Sequence, residues 1–417
     1  MTIWLYRLLW LVLLPFVIVI LLWRVLWRKE SLSRLPERFG FATKPRPTAS
    51  LIWIHGASVG ESLSILPLVE QILITRADVH VLITTGTRTS ANLIAKRLPQ
   101  LPEGQRVFHQ YIPFDFWPCV ALFYRTWQPT LTAFVESEFW PELITTAKPV
   151  LLNARVSDRS FPRYRKYGWF FGPIIRKIPQ ALAQREEDAR RLRALGIKQV
   201  KAAGNLKFDA MPLECDDVDL CDLEEQIGDR PVLAITSTHA GEETQAAKLH
   251  AILEKDIPNL LTIIVPRHPH RGTEISRQIG AQQRTKDKDI STATSLYVAD
   301  TLGEMGLWLK LAHVVVIGGS LVPHGGHNPL EPLKLGKTTF TGPYMFNFKD
   351  MLPWLTEKKV LQTVSTLEEL ACEVLPYLTD DDAREKQELH INQTMPHLAG
   401  ATAVTSTLLL NLIDQTE

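Results

Sequence analysis

Leu51-Ile-Trp-Ile-His-Gly-Ala-Ser-Val-Gly-Glu61 reads as a buried strand, Leu51–Ile54, running into a glycine-bearing turn and the start of a helix. The helical pattern continues through Leu63–Ile74. Working outward, Val79-His-Val-Leu-Ile83, Leu131-Thr-Ala-Phe-Val135 and Pro149-Val-Leu-Leu152 repeat the strand signal, and Ser90–Leu98 repeats the helical one. This alternation predicts parallel strands joined by crossover helices, the doubly wound arrangement.

A second series starts near Pro231 with Val232-Leu-Ala-Ile235, followed by Leu261-Thr-Ile-Ile-Val265, Val314-Val-Val-Ile317 and Thr338-Thr-Phe340. The acidic, weakly periodic stretch Glu214–Asp229 between the two series reads as a linker. The expected organisation is therefore an N-terminal membrane anchor over 1–30, one Rossmann-like domain over 31–210 and another over 211–417. Ligands of such sheets bind beyond the carboxyl ends of the strands, so two of them are expected to face each other across a ligand cleft.

A chain of 417 residues has room for two α/β cores, and 45% hydrophobic with 22% charged residues is the balance of a folded protein. A net charge of +1 gives no reason to expect a nucleic-acid partner. Cys119, Cys215, Cys221 and Cys372 form no C-x-x-C pair, which argues against a structural zinc or a disulfide framework and fits a reducing compartment. The apolar run Leu8–Trp23, broken only by Pro15, reads as an uncleaved anchor, because Arg24-Val-Leu-Trp-Arg28-Lys29 follows it where a signal peptide would have small residues. Those cations, with Arg34, Arg38, Lys44 and Arg46, predict a body on the cytoplasmic side.

The residues that carry chemistry cluster after the strands. Glu61, in the turn after Leu51–Ile54, could take a proton from an attacking hydroxyl; its spacing equally suits an acid that complements a positive helix start. Phe134-Val-Glu136-Ser-Glu138-Phe-Trp-Pro141 places two acids beside aromatics, either as a polar site or as a cap for the helix after Pro141. Lys207, in Gly204-Asn-Leu-Lys-Phe-Asp209, is by itself an ordinary solvated lysine. The second series is richer: Pro266-Arg267-His-Pro-His-Arg271, Asp300-Thr-Leu-Gly-Glu304, and Gly318-Gly-Ser-Leu-Val-Pro-His-Gly-Gly-His-Asn-Pro-Leu-Glu331. Glycine pairs let backbone N–H groups approach phosphate, and an acid on the next helix can accept from ribose hydroxyls, so the run predicts nucleotide binding. His268, His270, His324 and His327 match no zinc spacing, and no metal or other cofactor is expected.

On Arg38-Phe-Gly40, Ser58-Val-Gly-Glu61, Glu136-Ser-Glu-Phe-Trp-Pro141, Asn153-Ala-Arg155, Leu206-Lys-Phe-Asp209, Ser237-Thr-His-Ala-Gly-Glu242, Pro266-Arg-His-Pro269, Gly303-Glu304, Gly318-Gly-Ser320, Gly325-Gly-His-Asn-Pro-Leu-Glu331 and Phe346-Asn-Phe-Lys-Asp350, the chain resembles the 3-deoxy-D-manno-octulosonic acid (Kdo) transferases of lipopolysaccharide synthesis. The resemblance implies a GT-B fold, CMP-Kdo as donor, a lipid A precursor as acceptor and metal-independent, inverting transfer at the cytoplasmic face of a bacterial inner membrane. It further implies that Glu61 is the proton acceptor and that Glu136 and Lys207 stabilise the transition state. Pro266, Arg267, Leu302, Gly303, Glu304, Asn328, Pro329, Leu330 and Glu331 would contact CMP. The rival readings are another GT-B membrane transferase using a different nucleotide sugar, and a tethered nucleotide-sugar binding protein that would need no acid at position 61.

Overall fold

The computed structural model describes residues 2–27, 30–349 and 351–415. Arg28, Lys29 and Asp350, which enter the sequence expectations above, lie outside the described residues. The chain forms two compact units: Met1–Ala210 with Leu398–Glu417, and Met211–His397.

The first unit holds seven strands: β1 Ser50–His55, β2 Val79–Thr85, β3 Val107–Tyr111, β4 Leu131–Val135, β5 Val150–Ala154, β6 Gln180–Ala183 and β7 Gln199–Ala202. They pair in parallel in the order β3-β2-β1-β4-β5-β6-β7. Alternation along β1 shows why its apolar run is continuous. Leu51 and Trp53 enter one core cluster while Ile52 and Ile54 enter another. Side chains alternate across a strand, so a sheet covered by helices on both faces needs apolar residues at every position.

The helical stretch expected over Leu63–Ile74 is two helices, Val59–Ser64 and Leu66–Thr75. Pro67 sits in the first turn of the second, where its missing N–H costs nothing, but it cannot donate back to Leu63 O, so the ladder that would join the two helices into one is interrupted there.

The second unit repeats the design with β8 Val232–Thr238, β9 Leu261–Pro266, β10 Gln282–Gln283, β11 Leu296–Val298, β12 Val314–Ile317, β13 Thr338–Thr341 and β14 Leu361–Thr363. Its parallel order is β10-β11-β9-β8-β12-β13-β14. Both sheets are doubly wound. Strand order reverses between β1 and β4 in one and between β8 and β12 in the other, and such switch points are where loops spread to admit a ligand.

Two further sequence expectations differ from what folds. The stretch Glu214–Asp229 is no linker: Asp217–Ile227 is a helix, capped by the Asp216 carboxylate on the N–H groups of Val218 and Asp219. Its Leu223 and Ile227 are buried in a cluster with Tyr297 and Trp308, so a narrow apolar stripe among many acids suffices to dock it. The second difference is at the chain end, where the sequence reading ran the second domain on to 417. Ala401–Asp414 instead packs on Leu66–Thr75, with Leu409 and Ile413 joining the first unit's core. Asp209 holds the start of this helix, accepting from the N–H groups of Gly400 and Thr402 at 2.8 and 2.5 Å. Local pattern specifies that a helix has an apolar face but not which sheet receives it.

The N-terminal helix, α1, spans Thr2–Leu26. Its stretch Ile3–Leu26, with mean hydropathy 2.6, is long and apolar enough to cross a membrane.

Candidate functional site

In the first unit, Glu61, Glu136 and Lys207 come together at the switch point. The loop after β1 leads into Val59–Ser64, where Ser58 caps the helix by accepting from the Glu61 N–H. The Glu61 carboxylate in return accepts from Ala57 N–H at 2.8 Å and Ser58 Oγ at 2.6 Å. This is a reciprocal capping arrangement, so the helix-start role is real. It does not exhaust the residue. Glu61 is buried, and burial raises its carboxyl above the ordinary range; Ser58 opposes that rise, Glu136 adds to it, and Ala57 and Lys207 oppose it.

Glu136 follows β4 with φ +60°, a left-handed conformation that costs a non-glycine residue of order 1 kcal/mol or more and is typical of functional sites. Its N–H donates to Leu152 O at 2.8 Å, and its Oε1 accepts from Lys207 Nζ at 2.7 Å. Lys207 is positioned from two sides. Asn153, also left-handed at φ +51°, accepts through its side chain from Leu206 N–H at 3.1 Å, and Asn205 accepts from Lys207 N–H at 3.0 Å.

Glu138 is held by the Trp140 indole and raised in pKa by burial, with Glu61 and Glu136 adding to the rise. Neither Glu136 nor Glu138 caps the helix Pro141–Ala147; Asp115, from a distant loop, accepts from the N–H groups of Glu142 and Leu143 at 3.2 and 2.7 Å. Beneath the site His55 is fully buried between Thr84 and the Phe134 ring, and burial holds its pKa down at about 4, so the imidazole is neutral.

In the second unit, the loops after β8, β9 and β12 meet around an imidazole cluster. His239 and His327 approach through their Nε2 atoms at 2.8 Å, and the His239 ring stacks on His324 with centroids 4.0 Å apart. Burial holds His327 down at about 4. Arg267, directly after Pro266, acts electrostatically on this cluster and on Glu331. The Asn328 amide donates to Glu331 Oε1 at 3.2 Å, and Asn328 Oδ1 accepts from Leu330 N–H at 3.2 Å. Glu304 is tied to Arg284, at 3.3 and 3.4 Å, and to Thr301, next to Gly303 at φ +93° and a Leu302 that is 85% exposed.

Several amides of the glycine loop are already taken within the unit. Gly318 N–H donates to Thr236 O, Gly319 and Leu321 N–H donate to the carboxylate of Glu242 at 2.7 and 2.9 Å, and Gly326 N–H donates to Gly319 O. Glu242, completely buried, accepts the two loop amides that the glycine pair would otherwise leave open. Gly318 is needed for close approach rather than for ligand contact, since a Cβ there would lie 2.5 Å from Thr236 O. Arg267, His268 and His324 are exposed at this edge. Sequence reasoning missed Glu242 and His239 as site residues, although an acid directly after Gly241 at the start of a helix after a strand is a signal of its own. Among the described residues no group of three or more His, Cys, Asp or Glu side chains is arranged to hold a metal ion.

Known proteins resemble the chain across both units. Residues 33–210 match the family model described as 3-deoxy-D-manno-octulosonic-acid transferase (kdotransferase). The 3-deoxy-D-manno-octulosonic acid transferase of Rickettsia bellii is 33% identical over 93% of this chain and 94% of its own length. That of Haemophilus influenzae is 33% identical over 85% of each. Among solved structures, the UDP-GlcNAc 2-epimerase of Neisseria meningitidis superposes with a TM-score of 0.58 over 87% of this chain and all of its own, at 12% identity, a likeness of fold alone.

Proposed function

Because the chain belongs to the 3-deoxy-D-manno-octulosonic acid (Kdo) transferase family, a family of glycosyltransferases, we propose that it moves Kdo from CMP-Kdo to a lipid A precursor. The acceptor is the tetraacyl disaccharide 4'-bisphosphate lipid IVA, and the transfer serves lipopolysaccharide core synthesis. In this reading the reaction inverts the anomeric centre and needs no metal. The second unit takes the nucleotide and the first takes the acceptor.

The observation that carries the proposal is the convergence of Glu61, Glu136 and Lys207 at the carboxyl ends of β1 and β4. Inversion requires an acceptor oxygen to bond to the anomeric carbon as the bond to CMP breaks, with the acceptor's proton passing to a base. Glu61 is that base. Burial brings its carboxyl nearer to working pH, which strengthens it as a proton acceptor. Glu136 and Lys207 form a fixed charge pair beside it and stabilise the transition state. Pro266 and Arg267, Leu302 to Glu304, and Asn328 to Glu331 contact CMP, with Arg267 facing its phosphate.

The test is mass spectrometry of products formed by the full-length protein from lipid IVA with CMP-Kdo or with UDP-sugars. Kdo addition is expected from CMP-Kdo only. Transfer from a UDP-sugar without transfer from CMP-Kdo would replace this reading by that of another GT-B membrane transferase.

A further inference from the structure

We infer that Asp209 is a positioning residue for the transfer: by gripping the start of the helix Ala401–Asp414 it sets Lys207, two residues earlier on the same turn, against Glu136.

The turn is pinned at both ends, by different parts of the chain. Leu206–Asp209 is a single 3₁₀ turn. At its start the Leu206 N–H donates to Asn153 Oδ1 at 3.1 Å, the Lys207 N–H to Asn205 Oδ1 at 3.0 Å and the Phe208 N–H to Asn205 O at 2.9 Å. Asn153 stands in β5 and its carbonyl accepts from the Gln184 amide at 3.0 Å, so this end belongs to the sheet. The finish of the turn is held from the other end of the chain. Asp209 spreads its two carboxylate oxygens over the N–H groups of Gly400 and Thr402, 191 and 193 positions away, at 2.8 and 2.5 Å. A carboxylate on the free amides of a helix start combines charge-assisted bonds with the positive end of the helix dipole. The fit around it is close. Gly400 turns the chain into the helix at φ +114°, and a Cβ on Gly204 would lie 3.3 Å from Ala401 Cβ.

The helix that Asp209 grips also braces the other half of the site. Ala401–Asp414 packs on Leu66–Thr75, which follows Val59–Ser64, the helix bearing Glu61, after the single residue Ile65. Val59–Ser64 in turn packs on the Leu206–Asp209 turn. The elements that carry Glu61 and Lys207 therefore share one brace, and Asp209 is its polar tie. The chain passes to the second unit after Ala210 and returns at Leu398, so the same carboxylate fastens the two crossings together. A lysine ammonium rides on a flexible four-carbon stem. Where Nζ sits thus depends on how firmly its backbone is held, and loss of Asp209 frees that backbone on the side away from the sheet.

The test uses the full-length chain and has two arms, of which only the kinetic one rests on the Kdo transfer proposed above. Asp209→Ala is expected to lower kcat ~10–10²-fold, the cost of misplacing a group by about an ångström, with KM for CMP-Kdo unchanged. Asp209→Asn, which keeps one of the two acceptor oxygens, should fall between this variant and the parent. In a Lys207→Ala background Asp209→Ala is expected to change kcat less than about twofold, because the residue it positions is already gone; a full multiplicative loss there would overturn the inference. Leu409→Ala, which empties a buried position of the same helix, should lower Tm at least as much as Asp209→Ala and leave kcat near that of the parent. An equal loss of kcat in Leu409→Ala would make Asp209 a structural cap only and overturn the inference. The second arm needs no substrate: acetylation of Lys207 by acetic anhydride, followed by peptide mass spectrometry, is expected to be several-fold faster in Asp209→Ala and unchanged in Leu409→Ala. An unchanged rate in Asp209→Ala would overturn the inference whether or not the chain transfers Kdo. Faster labelling in a parent chain that transfers no Kdo would sink the proposed reaction and still support the placement of Lys207 by Asp209.

Discussion

Lys207 Nζ donates a hydrogen bond to Glu136 Oε1 at 2.7 Å, joining residues 71 positions apart, and the two side chains keep 35% and 26% of their exposure. At that exposure the pair is worth only ~0.2–1 kcal/mol to stability. Its value in catalysis is expected to be larger, because removing one preorganised charge from a transition-state site typically costs ~10²–10³-fold in rate. Lys207→Ala and Glu136→Ala should each lower kcat by about that factor while melting within a few degrees of the parent. The double variant should lose far less than the product of the two, since the residues act together. Strict multiplication of the losses would mean that they act separately.

Glu61→Gln keeps the bonds from Ala57 and Ser58 possible but removes the basicity, and is expected to lose ~10²–10⁴ in kcat with CMP affinity intact. The pH profile supplies a second readout. A base works deprotonated, so a pKa raised by burial moves the acid limb of kcat upward, and activity should begin to fall above the usual glutamate range as pH is lowered. A wild-type rate that stays flat down to that range would exclude Glu61 from the role.

Arg267→Ala and Glu331→Ala are expected to weaken CMP binding by ~1.5–3 kcal/mol each, the worth of a charge-assisted hydrogen bond. Calorimetry with CMP and with cytidine separates them: Arg267→Ala should affect only the nucleotide that carries phosphate. Equal losses for both ligands would place Arg267 away from the phosphate.

Glu242→Ala leaves the N–H groups of His239, Gly319 and Leu321 without their shared acceptor inside the second unit. Each buried unsatisfied group costs ~1–3 kcal/mol, so a loss of several kcal/mol is expected in denaturant unfolding. A stability change below about 1 kcal/mol would show that water replaces the carboxylate at no penalty.

His55 makes folding sensitive to acid. Burial lowers its pKa from 6.5 to about 4, with the Arg38 charge acting in the same direction and the Thr84 carbonyl opposing. Between those values the unfolded chain binds the proton and the folded one does not. Stability is therefore unaffected above pH 6.5 and is lost as pH falls through the window. Its share is roughly 2 kcal/mol between pH 7 and 5. His55→Gln should reduce the pH slope of unfolding free energy by about that much, and an unchanged slope would assign the acid sensitivity elsewhere.

The two doubly wound sheets are legible in the order of residues alone, because a strand buried on both faces must be apolar at every position, as in Leu51–Ile54 and Val314–Ile317. The residues after β1, β4, β9 and β12 likewise fall at carboxyl strand ends whatever the packing. The remainder depends on how distant segments pack. Periodicity carries no information about which distant groups meet, so neither the Lys207–Glu136 pair nor the return of Ala401–Asp414 to the first unit is legible in it. Nor could composition tell that Glu242 fills the amide nest of Gly319 and Leu321, because a glycine pair has the same sequence whether its N–H groups face a ligand or a buried carboxylate. The N-terminal helix shows the same limit. Hydropathy measures how apolar α1 is, whereas its path is fixed by Tyr6 on Asp115 and Arg7 on Glu142, contacts that exist only once the chain has folded.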